Sequence, residues 1–131
     1  MKPTILISDD DPQMCGALSR AAKRAGLQAI CDLTSEVYQL AKRHHPATIL
    51  IDINQNVNGI ELLQALKSDP ETQSIRVVMM SAIDSSMRHV LIRRDCLKAG
   101  ADEFELKPLD PDFMTRLATR VSEPEIWASK K

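Results

Sequence analysis

Four short apolar runs in this chain each end in polar or charged residues. Runs of this kind, rich in branched side chains, are typical of buried β-strands. If the strands lie parallel, their carboxyl ends meet along one edge of a sheet, where open α/β sheets bind their ligands. The runs are 4–7, followed by Ser8, Asp9, Asp10 and Asp11; 48–51, followed by Asp52; 77–80, followed by Ser81; and 104–106, followed by Lys107. The sequence therefore predicts one site that combines carboxylates, a hydroxyl group and an ammonium group.

Amphipathic stretches of helical length separate these runs, and strand and helix alternate about five times. The first helix is predicted to open at Asp11 and Pro12, a capping residue followed by proline, and to close at Gly26. The last helix is predicted to open in the same way at Asp110 and Pro111. The other predicted elements are strands at 4–8, 28–31, 48–53, 76–80 and 103–106 and helices at 35–45, from 59 to Asp69 and at 85–99. This alternation predicts a doubly wound α/β fold, a mostly parallel sheet with helices on both faces.

The length and charge of the chain indicate one compact domain with no global preference for a charged partner. With 131 residues it is near the commonest domain size, and its formal net charge is -1. No apolar stretch is long enough to span a bilayer, and the N-terminus lacks the layout of a signal peptide. We therefore expect a cytoplasmic protein with one domain at residues 1–122 and a short C-terminal tail at residues 123–131.

Three cysteines, Cys15, Cys31 and Cys96, are far apart in the sequence and form no CxxC pair. Neither a disulfide framework nor a zinc site is indicated by this spacing. Because free cysteines tend to be buried, we expect three buried and unreactive thiols.

Asp9, Asp10 and Asp52 would line a crevice between the ends of the first and third strands if these strands are neighbours. Three carboxylates at contact distance repel one another unless a cation neutralises them, and oxygen ligands of this hardness suit Mg²⁺. Beside such a cation, the Asp52 carboxylate can attack a phosphoryl group and form an acyl phosphate. Lys107 would then stabilise charge on the phosphoryl oxygens, and the Ser81 hydroxyl would donate a hydrogen bond to one of them.

Four motifs in order, ILISDDDP, ILIDIN, VVMMSA and AGADEFELKP, resemble the receiver domain of two-component response regulators, including the chemotaxis regulators. The resemblance extends from Lys2 to Val121. Each motif alone is common by chance, but the ordered set is specific. It implies a flavodoxin-like, five-stranded parallel sheet with strand order 2-1-3-4-5 and helices on both faces, in agreement with the alternation of strands and helices.

The resemblance also implies roles for individual residues. They are Asp52 as phospho-acceptor, Asp10 as direct Mg²⁺ ligand, Asp9 as a ligand acting mostly through water, the backbone carbonyl of Asn54 as a further ligand, Ser81 as the switch residue, Lys107 as the phosphate-contacting lysine and Phe104 as the rotating aromatic. After phosphorylation, Ser81 would be drawn toward the new charge and Phe104 would turn inward. The face made by the fourth helix, the fifth strand and the fifth helix would thereby change shape.

Two departures from the family pattern concern the loop after Asp52 and the segment after Ser81. The family usually has Met-Pro shortly after the acceptor and a glycine eight residues on, whereas here Gly59 follows Asp52 by seven residues. We therefore expect a loop one residue shorter than usual. Between Ser81 and Gly100 the chain is about four residues longer than usual, roughly one helical turn. In this segment the branched side chain of Ile83 is expected to slow hydrolysis of an aspartyl phosphate.

Several of these residues have simpler interpretations that the sequence leaves open. Asp9, Asp10 and Asp11 can form only a solvated turn and a helix cap, and Phe104 can be an ordinary core residue. The basic residues of the fourth helix can form either a solvated face or a partner-binding surface. They are Arg88, His89, Arg93, Arg94 and Lys98. His44 and His45 suit the C-terminus of the second helix as cations.

The sequence predicts a phosphorylatable signalling switch that catalyses only its own phosphorylation and dephosphorylation. The implied partners are a sensor histidine kinase or histidine phosphotransfer protein, an unknown downstream protein and a second copy of the chain, bound through helix 4, strand 5 and helix 5. Nucleic acid and membrane are not expected as direct partners. The alternatives are a degenerate receiver that binds proteins without phosphorylation and a Mg²⁺-dependent phosphatase, for which Asn54 replaces the second carboxylate of a DxD arrangement. Dinucleotide binding is disfavoured because the glycines form no GxGxxG.

Overall fold

The computed structural model describes residues 2–34, 36–55, 58–82 and 88–122, without the side chains of residues 88, 89 and 122. This part of the chain forms five strands and five helices in alternation, as predicted. The strands are β1 (Thr4–Ser8), β2 (Gln28–Asp32), β3 (Thr48–Asp52), β4 (Arg76–Ala82) and β5 (Glu103–Lys107). The helices are α1 (Pro12–Arg24), α2 (Val37–His44), α3 (Gly59–Ser68), α4 (Arg88–Lys98) and α5 (Phe113–Ser122). No helix in the described ranges is both long and apolar enough to cross a membrane.

The five strands form one parallel sheet with the order β2-β1-β3-β4-β5. Ser8 in β1 pairs with Ile51 in β3, and Asp52 in β3 pairs with Met80 in β4. The carboxyl ends of the three strands therefore lie close together at one edge of the sheet, with β3 extending one residue beyond β1 and β4 two residues beyond β3. The predicted doubly wound fold and its strand order are confirmed.

Helices cover both faces of the sheet because strand residues alternate between two cores. One core joins residues such as Ile49 and Val77 to α2, α3 and α4. The other joins residues such as Ile5 and Leu50 to α1 and α5. All five positions of β3 are buried, which is the pattern of a central parallel strand. This buried framework fixes where the polar residues at the strand ends lie.

The predicted capping residues mark the start of α1 but not the start of α5. The Asp11 carboxylate accepts a hydrogen bond from the Gln13 N–H at 3.0 Å, and α1 begins at Pro12 as predicted. The prediction that α5 begins at Pro111 is wrong, because the helix begins at Phe113. There the Asp110 carboxylate accepts a hydrogen bond from the Asp112 N–H at 2.8 Å, which closes a turn ahead of the helix.

Helix α2 begins later in the structure than the sequence predicts, whereas the predicted start of α4 lies outside the described residues. Helix α2 begins at Val37, and the predicted first residue, Ser35, lies outside the described residues. Helix α4 begins at Arg88, and residues 83–87, including Ile83, lie outside the described residues, as does the predicted tail at 123–131. On α4, Cys96 is buried, whereas the basic residues Arg93, Arg94 and Lys98 are exposed.

The prediction of three buried thiols is wrong for Cys31. Cys15 and Cys96 are buried, whereas Cys31 is exposed because β2 is an edge strand of the sheet. The Cys31 thiol donates a hydrogen bond to the backbone carbonyl of Cys15 at 3.3 Å. Burial raises the pKa of the Cys15 thiol to about 12, so this thiol stays protonated at neutral pH.

Candidate functional site

Three carboxylates meet at the carboxyl edge of the sheet. Asp9 and Asp10 directly follow β1, and Asp52 is the last residue of the neighbouring strand β3. One oxygen from each side chain lies within 4.8 Å of the other two. Asp9 is 1% exposed and Asp52 5% exposed, while Asp10 is half-buried. The structure therefore brings together the three carboxylates that the strand ends predict.

Lys107, the last residue of β5, reaches the same cluster. Its Nζ lies 2.8 Å from Oδ2 of Asp9 and 3.3 Å from Oδ1 of Asp52. Strand β4 lies between β3 and β5, so the lysine side chain crosses the end of β4 to make these contacts. Burial by itself lowers the pKa of Lys107, but the hydrogen bond to Asp9 and the charge of Asp52 outweigh it and raise the pKa. Lys107 is therefore an ammonium group at neutral pH.

Asp9 and Asp52 are held differently although both contact Lys107. The two oxygens of Asp9 each accept a hydrogen bond, Oδ1 from the Asp11 N–H at 3.0 Å and Oδ2 from Lys107. Asp52 accepts through Oδ1, from Lys107 and from the Asn54 N–H at 3.4 Å. Burial raises the pKa of the Asp52 carboxyl group; Lys107 opposes this shift and the charge of Asp9 adds to it. The Asp52 carboxylate is thus buried and lies beside the ammonium group of Lys107.

The loop after Asp52 is held closely against the strand end. Asn54 and Asn58 form an isolated antiparallel bridge, and the Gly59 N–H donates to the Ile53 carbonyl at 3.2 Å. Residues 56 and 57, which belong to the predicted short loop, lie outside the described residues. A Cβ at Gly59 would lie 2.8 Å from the backbone oxygen of Asp52. Glycine is therefore needed where α3 begins, because the backbone of the acidic strand end approaches it so closely.

Two residues of the site, Ser8 and Gln55, were not predicted from the sequence. The Gln55 Nε2 donates to the backbone carbonyl of Asp52 at 2.8 Å and to that of Ser8 at 3.3 Å. The Ser8 hydroxyl donates to the Gln55 Oε1 at 3.2 Å. The sequence does show that Gln55, an amide residue, comes shortly after a buried strand. Whether its side chain contacts β1 depends on how the strands pack, which the sequence does not show.

Ser81 and Phe104 lie on the two strands beside the cluster. Ser81 is 2% exposed and lies within β4, where it pairs with Leu106 of β5. Its hydroxyl donates to the backbone carbonyl of Ala82 at 3.4 Å. Phe104 is half-buried on β5 and packs against the core that contains Val77. Their roles as switch residues stay predictions.

The sequence model of the response regulator receiver domain matches residues 5–119, nearly the whole chain. The chain belongs to this family. As a receiver domain it is a module of two-component signalling proteins and not a classical enzyme. The family assignment agrees with the ordered motifs in the sequence and with the strand order in the structure.

Comparison with individual proteins supports the assignment. The DNA-binding response regulator MtrA of Mycolicibacterium smegmatis is 27% identical over 128 residues, 95% of this chain and 53% of that protein. A solved structure of a putative response regulator from Chloroflexus aurantiacus superposes with a TM-score of 0.80 at 20% identity, covering 92% of this chain and 98% of that one. For the chemotaxis protein CheY4 of Vibrio cholerae the TM-score is 0.77 at 20% identity, with 92% and 99% covered. At this identity, the structural likeness shows the fold alone. The receiver domain spans about half the length of the curated relatives it matches.

The acidic cluster of this receiver domain has the composition of a metal site. Asp9, Asp10 and Asp52 offer carboxylate oxygens at mutual distances within 4.8 Å. Oxygen-only ligand sets favour hard cations such as Mg²⁺, Mn²⁺ or Ca²⁺ over metals that prefer nitrogen or sulfur. Three carboxylates this close together repel one another, and a divalent cation would relieve this repulsion in addition to the contacts that Lys107 makes with Asp9 and Asp52. The residues present therefore fit a metal ion of this class.

Proposed function

We propose that this receiver domain accepts a phosphoryl group on Asp52 with the help of Mg²⁺. The observation that carries the proposal is the position of the Asp52 carboxylate, 3.3 Å from Lys107 Nζ and within one cluster with Asp9 and Asp10. A phosphoryl group suits this site because its oxygens can be contacted by Lys107 while the carboxylate approaches phosphorus. The alternative of a receiver that binds proteins without phosphorylation is not favoured, since all four of these side chains come together.

In the proposed reaction, the phosphoryl group moves from the donor molecule to the carboxylate of Asp52. One oxygen of Asp52 attacks phosphorus, and the bond from phosphorus to the donor's nitrogen or oxygen breaks, leaving its electron pair on the donor. The product on this chain is an acyl phosphate. The Lys107 ammonium group would exchange its contact with Asp52 for a phosphoryl oxygen and stabilise the charge there. Water would later hydrolyse the acyl phosphate and restore the carboxylate.

Mg²⁺ would supply positive charge to the phosphoryl oxygens during transfer. We assign Asp10 as a direct ligand, together with Asp52 and the backbone carbonyl of Asn54, and Asp9 as a ligand acting mostly through water. The surroundings of Asp9 support this division, because both of its oxygens already accept hydrogen bonds from Asp11 and Lys107. A carboxylate held in this way is better suited to orient a bound water than to bind the cation directly.

Phosphorylation would be communicated from Asp52 through Ser81 to Phe104. The Ser81 hydroxyl donates to the Ala82 carbonyl at 3.4 Å, a long hydrogen bond that it can exchange for a phosphoryl oxygen. Movement of Ser81 would then let the half-buried Phe104 turn inward on the adjacent strand. The face formed by α4, β5 and α5 would change, and this face would contact a target or a second copy of the chain.

The proposed partners follow from the chemistry of the acceptor. A sensor histidine kinase or a histidine phosphotransfer protein in the cytoplasm would donate the phosphoryl group. The downstream target would be a protein, with no direct contact of the receiver domain to nucleic acid or membrane. The relative MtrA is described as DNA-binding, and the receiver domain matches only 53% of it.

Incubation with acetyl phosphate and Mg²⁺ tests the proposal. Intact-mass measurement should show one added phosphoryl group, and hydroxylamine should remove it, because acyl phosphates react with this nucleophile. Asp52→Asn should abolish the addition, since an amide is a poor nucleophile. Asp112→Asn, the same change at an exposed position before α5, is the matched control and should be labelled like the parent. Labelling that persists in Asp52→Asn, or an unlabelled parent, would contradict the proposal.

A further inference from the structure

Gln55 joins the ends of the two strands that carry the acidic residues. Its Nε2 donates hydrogen bonds to the backbone carbonyls of Asp52, at 2.8 Å, and Ser8, at 3.3 Å. Its Oε1 accepts a hydrogen bond from the Ser8 hydroxyl at 3.2 Å. One carboxamide group thus connects the last residue of β1 with the last residue of β3.

This connection lies where backbone pairing between β1 and β3 ends. The last pair of the ladder is Ser8 with Ile51, so Asp9, which follows β1, and Asp52, the last residue of β3, each lie one residue beyond it. Within the described residues, β1 and β3 form no further backbone pair beyond this point. The Gln55 side chain links the two strands at the position where the next residue pair of the ladder would lie.

Gln55 also restrains the residue whose carbonyl is assigned to the metal. Asn54 lies between Asp52 and Gln55, and its N–H donates to the Asp52 carboxylate at 3.4 Å. Because the Gln55 side chain folds back onto the Asp52 carbonyl at 2.8 Å, the backbone from residue 52 to residue 55 is a closed turn. The Gln55 hydrogen bonds therefore restrain the Asn54 carbonyl from one side, and the bridge between Asn54 and Asn58 restrains it from the other.

We infer that Gln55 is a positioning residue for the metal site, which sets the separation of the two acidic strand ends and holds the Asn54 backbone in place. The inference rests on the proposed function of the cluster. Gln55 acts through the Ser8 and Asp52 backbone and not through the reacting carboxylate oxygen. It should therefore affect metal binding and leave the transfer step unchanged once the metal is bound.

Gln55→Met tests this role because methionine keeps the length of the side chain and removes both its donor and its acceptor. We expect the Mg²⁺ dissociation constant, measured by calorimetry without phosphodonor, to rise about 10-fold, as for other lost partners of metal ligands. The Mg²⁺ concentration that gives half-maximal phosphorylation by acetyl phosphate should rise by the same factor. The rate at saturating Mg²⁺ should stay within about 2-fold of the parent, because the transfer step is intact.

Ser8→Ala and Gln64→Met separate the specific contact from general effects. Ser8→Ala removes the hydroxyl that donates to Gln55, so it should weaken Mg²⁺ binding about 3-fold in the parent and have no further effect in Gln55→Met. Gln64→Met makes the same exchange at an exposed position of α3 and should bind Mg²⁺ like the parent.

The outcomes distinguish this inference from the proposed function. If Gln55→Met, Gln64→Met and the parent bind Mg²⁺ equally while the parent is phosphorylated, the role of Gln55 is wrong and the function of Asp52 stands. If the phosphorylation rate of Gln55→Met at saturating Mg²⁺ falls by the same factor as its Mg²⁺ affinity, the positioning role is also wrong. A parent that neither binds Mg²⁺ nor accepts a phosphoryl group would overturn both.

Discussion

Asp9 and Asp10 are adjacent in the sequence, yet their carboxylates have different surroundings. Asp9 is 1% exposed, and each of its oxygens accepts a hydrogen bond, from the Asp11 N–H and from Lys107. Asp10 is half-buried at the rim of the cluster, where solvent reaches it. A hydrated cation can reach the half-buried Asp10 more easily than the buried Asp9, whose hydrogen bonds suit it to orient a bound water, so the two residues should contribute unequally to metal binding.

We expect Asp10→Ala to weaken Mg²⁺ binding by on the order of 100-fold and Asp9→Ala by about 10-fold, since a direct ligand matters more than a partner that acts through water. Calorimetric titration of both variants with Mg²⁺ gives the order. Asp11→Ala is the matched control, because Asp11 caps α1 and should cost about 1 kcal/mol of stability without changing Mg²⁺ affinity. Equal affinities for Asp9→Ala and Asp10→Ala would contradict the assignment of the direct ligand.

The positions of these side chains were predictable to different degrees. Asp9, Asp52 and Lys107 could be placed together from the sequence, because each follows or ends a buried strand and parallel strands share an edge. The link through Gln55 could not, since it depends on how far one side chain reaches across the sheet. The exposure of Cys31 was also missed, because residue type alone does not show which strand lies at the edge.

Helix α3 begins so close to β3 that its first residue must be glycine. A Cβ at Gly59 would lie 2.8 Å from both the Asp52 carbonyl oxygen and the Ile53 Cα. Gly59→Ala should therefore destabilise the fold by about 1–3 kcal/mol, as overpacked sites do, although alanine favours helix. Gly16→Ala in α1 meets only the flexible end of Arg20, at 3.3 Å, and should stabilise by about 0.5–1 kcal/mol. Urea unfolding of both variants measures these opposite effects on the free energy of unfolding. If Gly59→Ala were more stable than the parent, the backbone of Asp52 and Ile53 would have to move easily to make room for the added Cβ.

A polar cluster joins α2 to the end of α3. The Tyr38 hydroxyl donates to Oδ2 of Asp69, whose Oδ1 accepts the Glu71 N–H at 2.9 Å. Lys42 lies 3.4 Å from Asp69 and 3.2 Å from Glu71. The hydrogen bond from Tyr38 is the main cause that lowers the pKa of Asp69 below its ordinary value.

The lowered pKa of Asp69 predicts a pH-dependent contribution to stability. A carboxyl group with a lower pKa in the folded state stabilises the fold above its unfolded pKa, about 3.9, and loses this effect as the pH falls through the folded value. Asp69→Asn should therefore unfold at a lower temperature than the parent near pH 7, and the difference should shrink as the pH falls below about 4. Thermal unfolding followed by circular dichroism measures it. A difference that stays constant from pH 7 to pH 3 would show that the charge of Asp69 is not involved.

The limits of the elements were harder to predict than their order. The pattern of Asp110 followed by proline resembles that at the start of α1, but Asp110 closes a separate turn with Asp112 before α5 begins. A capping residue followed by proline is compatible with either a helix or a turn, and here the buried Phe113 is the first residue of the helix. Strand β4 likewise extends to Ala82, so Ser81 lies within the strand and not after it.

The whole molecule is held by two cores that lie on opposite faces of one sheet. The core against α1 and α5 includes Leu117 in the middle of α5, which is 2% exposed. Arg120 of α5 also donates to Glu103 of β5, which contacts the buried Arg76 of β4. Helix α5 therefore holds the edge strand β5, which carries Lys107. Alternation of strands and helices predicted this layered arrangement, whereas the strand order also needed the family resemblance.

The proposed domain limit at residue 122 can be tested by shortening the chain. Among the described residues, those of both cores lie between Ile5 and Val121, and the acidic cluster with its lysine lies between Asp9 and Lys107. A chain that ends at Ser122 should therefore unfold within about 2 °C of the full chain and accept a phosphoryl group at the same rate. A chain that ends at Arg116 lacks Leu117 and should fail to fold cooperatively, because it removes the second half of α5 from the core that this helix shares with α1. Thermal unfolding and intact-mass phosphorylation of both forms compare the two limits. If the chain ending at Ser122 also failed to fold, the domain would have to include the segment at 123–131.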